Sequence, residues 1–299
     1  MKIRVSEMFY SFQGEALHAG KPSVWIRFFG CNLECNGFGQ MDPTNPETYH
    51  LPYQTFDLSA IKRIEDLPVW HYGCDSSYSW SAKYKHLVDD YQPEEVVDKL
   101  TDMMRHESNP SGHWVHPTTG VDTQLCFTGG EPMMWQKAMR AIVDECKKRD
   151  QMPKLITIET NATQKIQPFM QEMIDYYGID FHFAMSPKLF TVSGEKDAVK
   201  PDIIASYVRS GYTAIVKFVV NGSAECWAEL DAAVADIKAE MRAQQIPENQ
   251  LDFWVMPVGA TKDQQEHEYI ADLSIEAMKR GFNVATRNHC YVFGNVIGK

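Results

Sequence analysis

From residue 24 onward the chain alternates two hydrophobic patterns. Short apolar runs rich in β-branched and aromatic residues, at 24–29, 124–127, 155–159, 180–185, 214–220, 252–256 and 282–285, read as strands. Between them lie longer stretches with helical spacing of apolar positions. Pro93-Glu94-Glu95 opens one such stretch and Pro201-Asp202 another, with Pro and acid in the first turn, while Gly211 and Gly281 stand where a helix would end. Strand and helix in regular succession predict βα units around a parallel sheet, an α/β fold. Two segments interrupt the rhythm: 36–73, with four Pro, and 106–123, with three His, two Pro and two Gly. Loops this long are uncommon inside a compact domain, so each either folds locally, covers a site or is mobile. A short helix is expected at 58–67. No repeat, low-complexity tract or linker divides the chain, which predicts one domain, 1–299, with two insertions.

Composition narrows the function. The chain has 29 Lys and Arg against 40 Asp and Glu, a formal charge of −11, with 44% apolar residues, as an ordinary globular protein has. An acidic balance argues against direct binding to nucleic acid or anionic lipid and favours a small-molecule substrate. No window reads as a membrane helix and the first residues lack the apolar core of a secretory signal, so a cytoplasmic location is expected. Seven scattered Cys, an odd and sparse count, do not make a disulfide scaffold and leave thiols for metal binding.

Candidate chemistry gathers where strands end. Five successive strands are followed by Thr128-Gly129-Gly130-Glu131-Pro132, Thr160-Asn161, Ser186-Pro187-Lys188, Asn221-Gly222 and Pro257-Val258-Gly259, small or polar residues that a parallel barrel or partial barrel would place on one rim. Turn chemistry accounts for any one of them; the series points to a site. Arg27 is the one charge in an otherwise apolar run, and a buried guanidinium needs an anion, either an internal carboxylate or a ligand's. In the loop before it, Gln13 and Glu15 could read the N–H edge of a heterocycle.

Cys31 and Cys35 follow the first of these strands as a C-x3-C pair. Together with Gln13-Gly14-Glu15, Gly129-Gly130-Glu131-Pro132, Glu159-Thr160-Asn161, Ser186-Pro187-Lys188 and Met256-Pro257-Val258-Gly259, they make the chain resemble the radical S-adenosylmethionine enzymes, and within them the 7-carboxy-7-deazaguanine synthases. The resemblance covers nearly all of the chain outside the two insertions. It departs at position 38, where the family's C-x3-C-x2-C is completed by Cys and this chain has Phe38. Cys74-Asp75-Ser76 resembles the family's C-D-T segment, displaced by the first insertion.

The resemblance implies a partial (β/α)6 barrel. It implies a [4Fe–4S] cluster on Cys31, Cys35 and Cys74 with one iron left for S-adenosylmethionine. It places S-adenosylmethionine against Gly73, Asp75, Gly130, Glu131, Ser186, Pro187 and Lys188, and Mg2+ on Ser76, which keeps an oxygen donor where the family has Thr. Gln13, Gly14, Glu15, Arg27 and Thr128 would surround a pterin, Arg27 taking its carboxylate. The implied reaction is a lyase step of 7-deazaguanine (queuosine-type) biosynthesis: 6-carboxy-5,6,7,8-tetrahydropterin gives 7-carboxy-7-deazaguanine with loss of ammonia. An electron donor such as flavodoxin or ferredoxin and a homodimer are implied partners, and the 36–73 insertion would serve as a lid or a reductant-docking surface.

Two other readings stay open: a radical enzyme on another substrate, such as an activase of a partner protein, and a non-catalytic binding module with zinc on Cys31, Cys35, His71 and Cys74. Cys126, Cys146 and Cys226, in apolar or helical contexts, read as inert buried thiols, whereas Cys290 could lie near the site. His106, His113 and His116 read as solvated loop residues rather than a metal site.

Overall fold

The computed structural model describes residues 1–299 and contains one mixed sheet of nine strands. These are β1 (Ile3–Phe12), β2 (Pro22–Phe28), β3 (Asp89–Tyr91), β4 (Gln124–Gly129), β5 (Leu155–Thr160), β6 (Asp180–Met185), β7 (Thr213–Val220), β8 (Asp252–Pro257) and β9 (Asn283–Val284). Their spatial order is β3-β1-β2-β4-β5-β6-β7-β8-β9. From β2 to β9 every pairing is parallel, and β1 runs antiparallel to both β2 and β3. The sheet is open, with β3 and β9 as its edges. All six residues of β4 are buried, as expected where helices cover both faces of a parallel sheet.

The seven expected strands form within about two residues of their expected ends. Pro93 opens the helix Pro93–Met103, where Gln92 and Glu95 form a reciprocal capping box, and Pro201 opens Pro201–Arg209. Gly211 and Gly281, at φ 77° and 81°, follow helix ends in the left-handed region open to glycine.

Two strands escape the hydrophobic pattern for identifiable reasons. β1 carries a bulge between Val5 and Glu7, which breaks the alternation of buried and exposed positions. β3 is three residues of mostly exposed acid and Tyr, formed only because Ile3–Val5 offers it an edge. The expected helix at 58–67 is reduced to a single turn at Ile64–Asp66. Asp57 accepts from the Ser59 N–H and hydroxyl at 2.9 and 3.1 Å, a local alternative to a helical start, and Pro68 holds Leu67 extended.

Both insertions fold locally. In the first, Tyr53, Ile64, Leu67 and Trp70 make a small core with Tyr78, Tyr84 and Ile297 of the C-terminal tail. In the second, Asn109 binds the carbonyls of Met104 and His113, and buried Trp114 donates to the Gln151 carbonyl at 3.0 Å. His106 and His116 stack with ring centroids 5.5 Å apart while His113 is exposed, and no third donor joins them to hold a metal. No helix is long and apolar enough to cross a membrane.

Candidate active site

The ends of the parallel strands open on a 270 Å³ cavity. Cys31 and Cys35 enter it from the loop after β2. The third thiol arrives by a closed detour: the Gly73 N–H donates to the Phe38 carbonyl at 2.7 Å, so the insertion leaves and rejoins the site at one point. Cys74 is thereby returned beside position 38 and lines the same cavity as Cys31 and Cys35, together with the Phe38 ring. Burial pushes the Cys31 thiol up to about 12 and raises Cys35 and Cys74 as well; each pair among the three is close enough to add mutual repulsion in the thiolate form. Thiolates crowded in this way call for a cationic centre.

No group of three or more His, Cys, Asp or Glu side chains is gathered tightly around one point, as a tetrahedral zinc requires. His71, the fourth donor of the zinc reading, is exposed and lines an adjoining 360 Å³ cavity without the thiols. Cys31, Cys35 and Cys74 instead share the first cavity, and three thiols are the number that an iron–sulfur cube with a free corner takes.

The residues expected at the S-adenosylmethionine site divide. Ser186, Lys188 and Asp75 line both cavities, Gly130 the first and Gly73 the second. Lys188 Nζ lies 3.0 Å from Ser186 Oγ, and its charge reaches Cys31 and Cys35. A Cβ on Gly130 would meet the Gly30 carbonyl at 2.4 Å and Cys31 Cβ at 2.7 Å, so this glycine lets the cysteine loop rest directly on the end of β4. Glu131 is not brought to the cavity. It is wholly buried, and its carboxylate accepts from Thr160 Oγ1 and the N–H groups of Asn161 and Met133 at 2.7, 2.7 and 2.9 Å, tying β4 to β5. Burial raises its carboxyl pKa despite those bonds. Pro187 is buried beside the cavity and lines neither space. Ser76 lines the first cavity with its Oγ 3.5 Å from Cys74 Sγ.

Gln13, Gly14, Glu15, Arg27 and Thr128 all line the first cavity. A Cβ on Gly14 would lie 2.1 Å from His289 Nδ1, so glycine is what admits this imidazole. Gln13 donates to Glu159 Oε1 at 2.9 Å; Lys217 Nζ bridges Glu159 Oε2 and Glu15 Oε2 at 2.8 and 2.9 Å. Arg287 continues the series, with Nε 3.2 Å from Glu15 Oε1 and Nη2 2.8 Å from Asp75 Oδ2. Burial acts to raise the Glu15 carboxyl, and the charges of Lys217, Arg287 and His289 outweigh it, holding the group well below the usual carboxylate range. Within this series three carboxylates face two cations.

Arg27 finds an internal anion in Glu7, at 2.6 Å from its Nε, and its Nη1 reaches the Gly129 carbonyl at 3.4 Å. Its Nη2 makes no hydrogen bond within the chain.

Sequence reasoning missed Glu7, Tyr78, Lys217, Arg287 and His289. Lys217 was detectable by the argument that singled out Arg27, being the one charge in the run 214–220; the others carried no such signal. The remaining thiols do not line the site, although Cys290 lies near it, as expected, within reach of the charges of Arg287, Asp75 and Glu15. Cys126, Cys146, Cys226 and Cys290 are fully buried, and none lines either cavity; Cys290 Sγ rests 3.6 Å from the Ala260 carbonyl.

No protein-family model matches the chain. It is 24% identical over 306 aligned residues to the 7-carboxy-7-deazaguanine synthase of Pyrobaculum aerophilum, covering 100% of this chain and 98% of that one. It is 58% identical over 58 residues to the synthase of Halobacterium salinarum, covering 19% of this chain and 22% of that one. The crystal structure of QueE from Escherichia coli superposes with a TM-score of 0.53 at 15% identity, covering 97% of this chain and 95% of that one. The shared architecture is a mixed α/β fold on a large sheet. These relatives bear out the family resemblance that the motifs carry.

Proposed function

We propose that this chain is a radical S-adenosylmethionine lyase that converts 6-carboxy-5,6,7,8-tetrahydropterin to 7-carboxy-7-deazaguanine with loss of ammonia. The observation that carries this reading is the return of Cys74 to the side of position 38, which assembles three thiols in the cavity that also holds Arg27 and the Glu15–Lys217–Glu159 series. In this reading Cys31, Cys35 and Cys74 hold the [4Fe–4S] cluster, Gly73, Asp75, Gly130, Ser186 and Lys188 hold S-adenosylmethionine, and Ser76 contributes to Mg2+. When bound, cluster and S-adenosylmethionine supply a radical able to remove a hydrogen atom from the substrate.

The chain's own work is alignment. Gln13, Glu15 and Glu159 present carboxylate and amide oxygens to the N–H-rich edge of a pterin, while Lys217 and Arg287 keep Glu15 ionised and fixed. Arg27 Nη2 offers one donor to the substrate carboxylate. Because Glu7 already balances the Arg27 charge, a second cation is needed at that carboxylate, which gives the Mg2+ on Ser76 a definite task. Val69 of the insertion and the C-terminal tail at 295–299 line the same cavity, which supports a lid role for the insertion. A single domain, an open partial-barrel curvature of the sheet, a cytoplasmic location, a flavodoxin- or ferredoxin-type donor and a homodimer complete the reading.

The test is an anaerobic assay of the reconstituted chain with the carboxylated tetrahydropterin, S-adenosylmethionine, Mg2+ and a reductant. The expected result is a brown protein with about four iron atoms per chain, which yields 7-carboxy-7-deazaguanine by mass spectrometry and releases ammonia. A colourless protein carrying one zinc refutes the reading. A brown protein that cleaves S-adenosylmethionine and leaves the pterin unchanged transfers it to another substrate.

A further inference from the structure

The loop that carries Cys31 and Cys35 is clasped by a carboxylate from another part of the chain. Glu195 Oε1 accepts from the backbone N–H of Glu34 at 2.8 Å and of Cys35 at 2.5 Å. Cys35 sits at φ 53°, in the left-handed region, which is strained for a residue with a side chain. Bonds made only in this conformation oppose its relaxation.

Glu195 is itself held through the segment that precedes it. It follows β6 in the same segment that delivers Ser186 and Lys188 to the cavity. Glu229, on the helix Ala224–Ala243, fixes that segment by accepting from the N–H groups of Phe190 and Thr191 at 2.7 and 2.9 Å. Next to Glu195, the Ser193 carbonyl accepts from the Gly37 N–H at 2.9 Å, and a Cβ on Gly37 would meet Ser193 C at 2.6 Å. The clasp therefore grips the thiol loop on both sides of residue 36.

We propose that Glu195 is a positioning residue for the iron–sulfur ligand loop, which holds Cys35 in its strained conformation and lowers the cluster's reduction potential through a fixed negative charge. The proposal rests on the cluster reading above. A carboxylate beside a ligand disfavours the more negative, reduced cluster. It also occupies two backbone N–H groups that could otherwise be donated to sulfur, and loss of such donors lowers a potential in the same direction.

The test compares the full-length wild type, E195Q and E195A after identical anaerobic reconstitution, by iron content and by redox titration of the cluster followed by electron paramagnetic resonance. The amide oxygen of Gln can still accept both N–H groups, so E195Q is expected to retain wild-type iron with its midpoint shifted upward. E195A loses charge and acceptor together and is expected to lose at least half of its iron. A wild-type midpoint in E195Q, or wild-type iron in E195A, overturns the proposal and leaves the cluster reading standing. A wild-type chain that takes up no cluster overturns both.

Discussion

Arg27 and Glu7 face each other across the antiparallel β1–β2 pair, and the Arg27 Nε donates to Glu7 Oε1 at 2.6 Å. The Tyr78 hydroxyl donates to the same oxygen at 2.8 Å, and Glu7 Oε2 is buried without a partner. Removing one member of a buried pair leaves the other charge uncompensated, at a cost of about 3–5 kcal/mol. Glu7→Ala is therefore expected to lower stability by about 3 kcal/mol, read from the urea midpoint. Glu7→Gln keeps an acceptor for Tyr78 and Arg27 and should lose less. Equal losses in the two variants would show that the bond geometry, and not the charge, is absent from the balance.

The same pair shows what the sequence could and could not disclose. That Arg27 needed an anion was readable from one charge in an apolar run. Which anion was not, because Glu7 becomes its neighbour only through the register of β1, a strand whose bulge hides it from the alternation rule. The parallel strands β4 to β8 were legible because strands buried on both faces are continuously apolar, and their C-terminal ends locate the cavity. Cys74 was reached by a motif displaced by the insertion; the Gly73–Phe38 bond that restores its place is a backbone contact no pattern encodes. Arg287 and His289 lie after the last strand, and their arrival at Glu15 and Gly14 depends on the whole sheet being assembled. Glu131 went the other way: a motif residue expected at a ligand is spent on joining two strand ends.

Lys217 is only 2% exposed in its side chain and sits between Glu15 and Glu159. Lys217→Met fills the space but strands a carboxylate in the wall, for an expected loss of about 3–5 kcal/mol near neutral pH. The sign with pH distinguishes this from a packing defect. In the wild type, burial works to lower the Lys217 pKa and the two carboxylates outweigh it, while Glu15 is held low; the bridge is at full strength from the ordinary carboxylate range up to the ordinary lysine range. In the variant, protonation relieves the stranded carboxylate, so the gap to wild type should narrow as pH falls from 7 towards 5. A gap that stays constant over that window would mean the lost interaction is steric.

His182 lies 2% exposed on β6, its ring edge-on to His18 at 4.6 Å. Burial, with the neighbouring His18 and Lys217, lowers its pKa to about 3. A histidine depressed in the folded state supplies stability that is complete above its unfolded value of about 6.5 and declines by about 1.4 kcal/mol per pH unit below it, until the folded value is reached. His182→Gln should therefore flatten the fall in stability between pH 6 and 4 seen by denaturant titration at several pH values. An unchanged acid limb would assign the fall to other groups, of which His289, lowered to about 4 chiefly by burial, is the next to test.

Cys74 decides whether the detour through the insertion matters to the cofactor. Its thiol shares the cavity with Cys31 and Cys35, whereas Cys126, also unpaired, is fully buried within β4. Cys74→Ala removes one of three thiolates and is expected to abolish retention of iron and the brown absorbance after anaerobic reconstitution, with the fold intact by circular dichroism. Cys126→Ala deletes a sulfur from packed core; it should cost on the order of 1 kcal/mol of stability and leave iron content unchanged. The two variants thus separate ligand loss from general damage, since the second disturbs the deeper position and the first the more exposed one. Because Gly73 N–H still holds the Phe38 carbonyl in Cys74→Ala, its loss of iron could not be blamed on an unlatched insertion. Full iron in Cys74→Ala would instead move the third ligand elsewhere, with Cys290, buried beside Arg287 and Asp75, the first thiol to test.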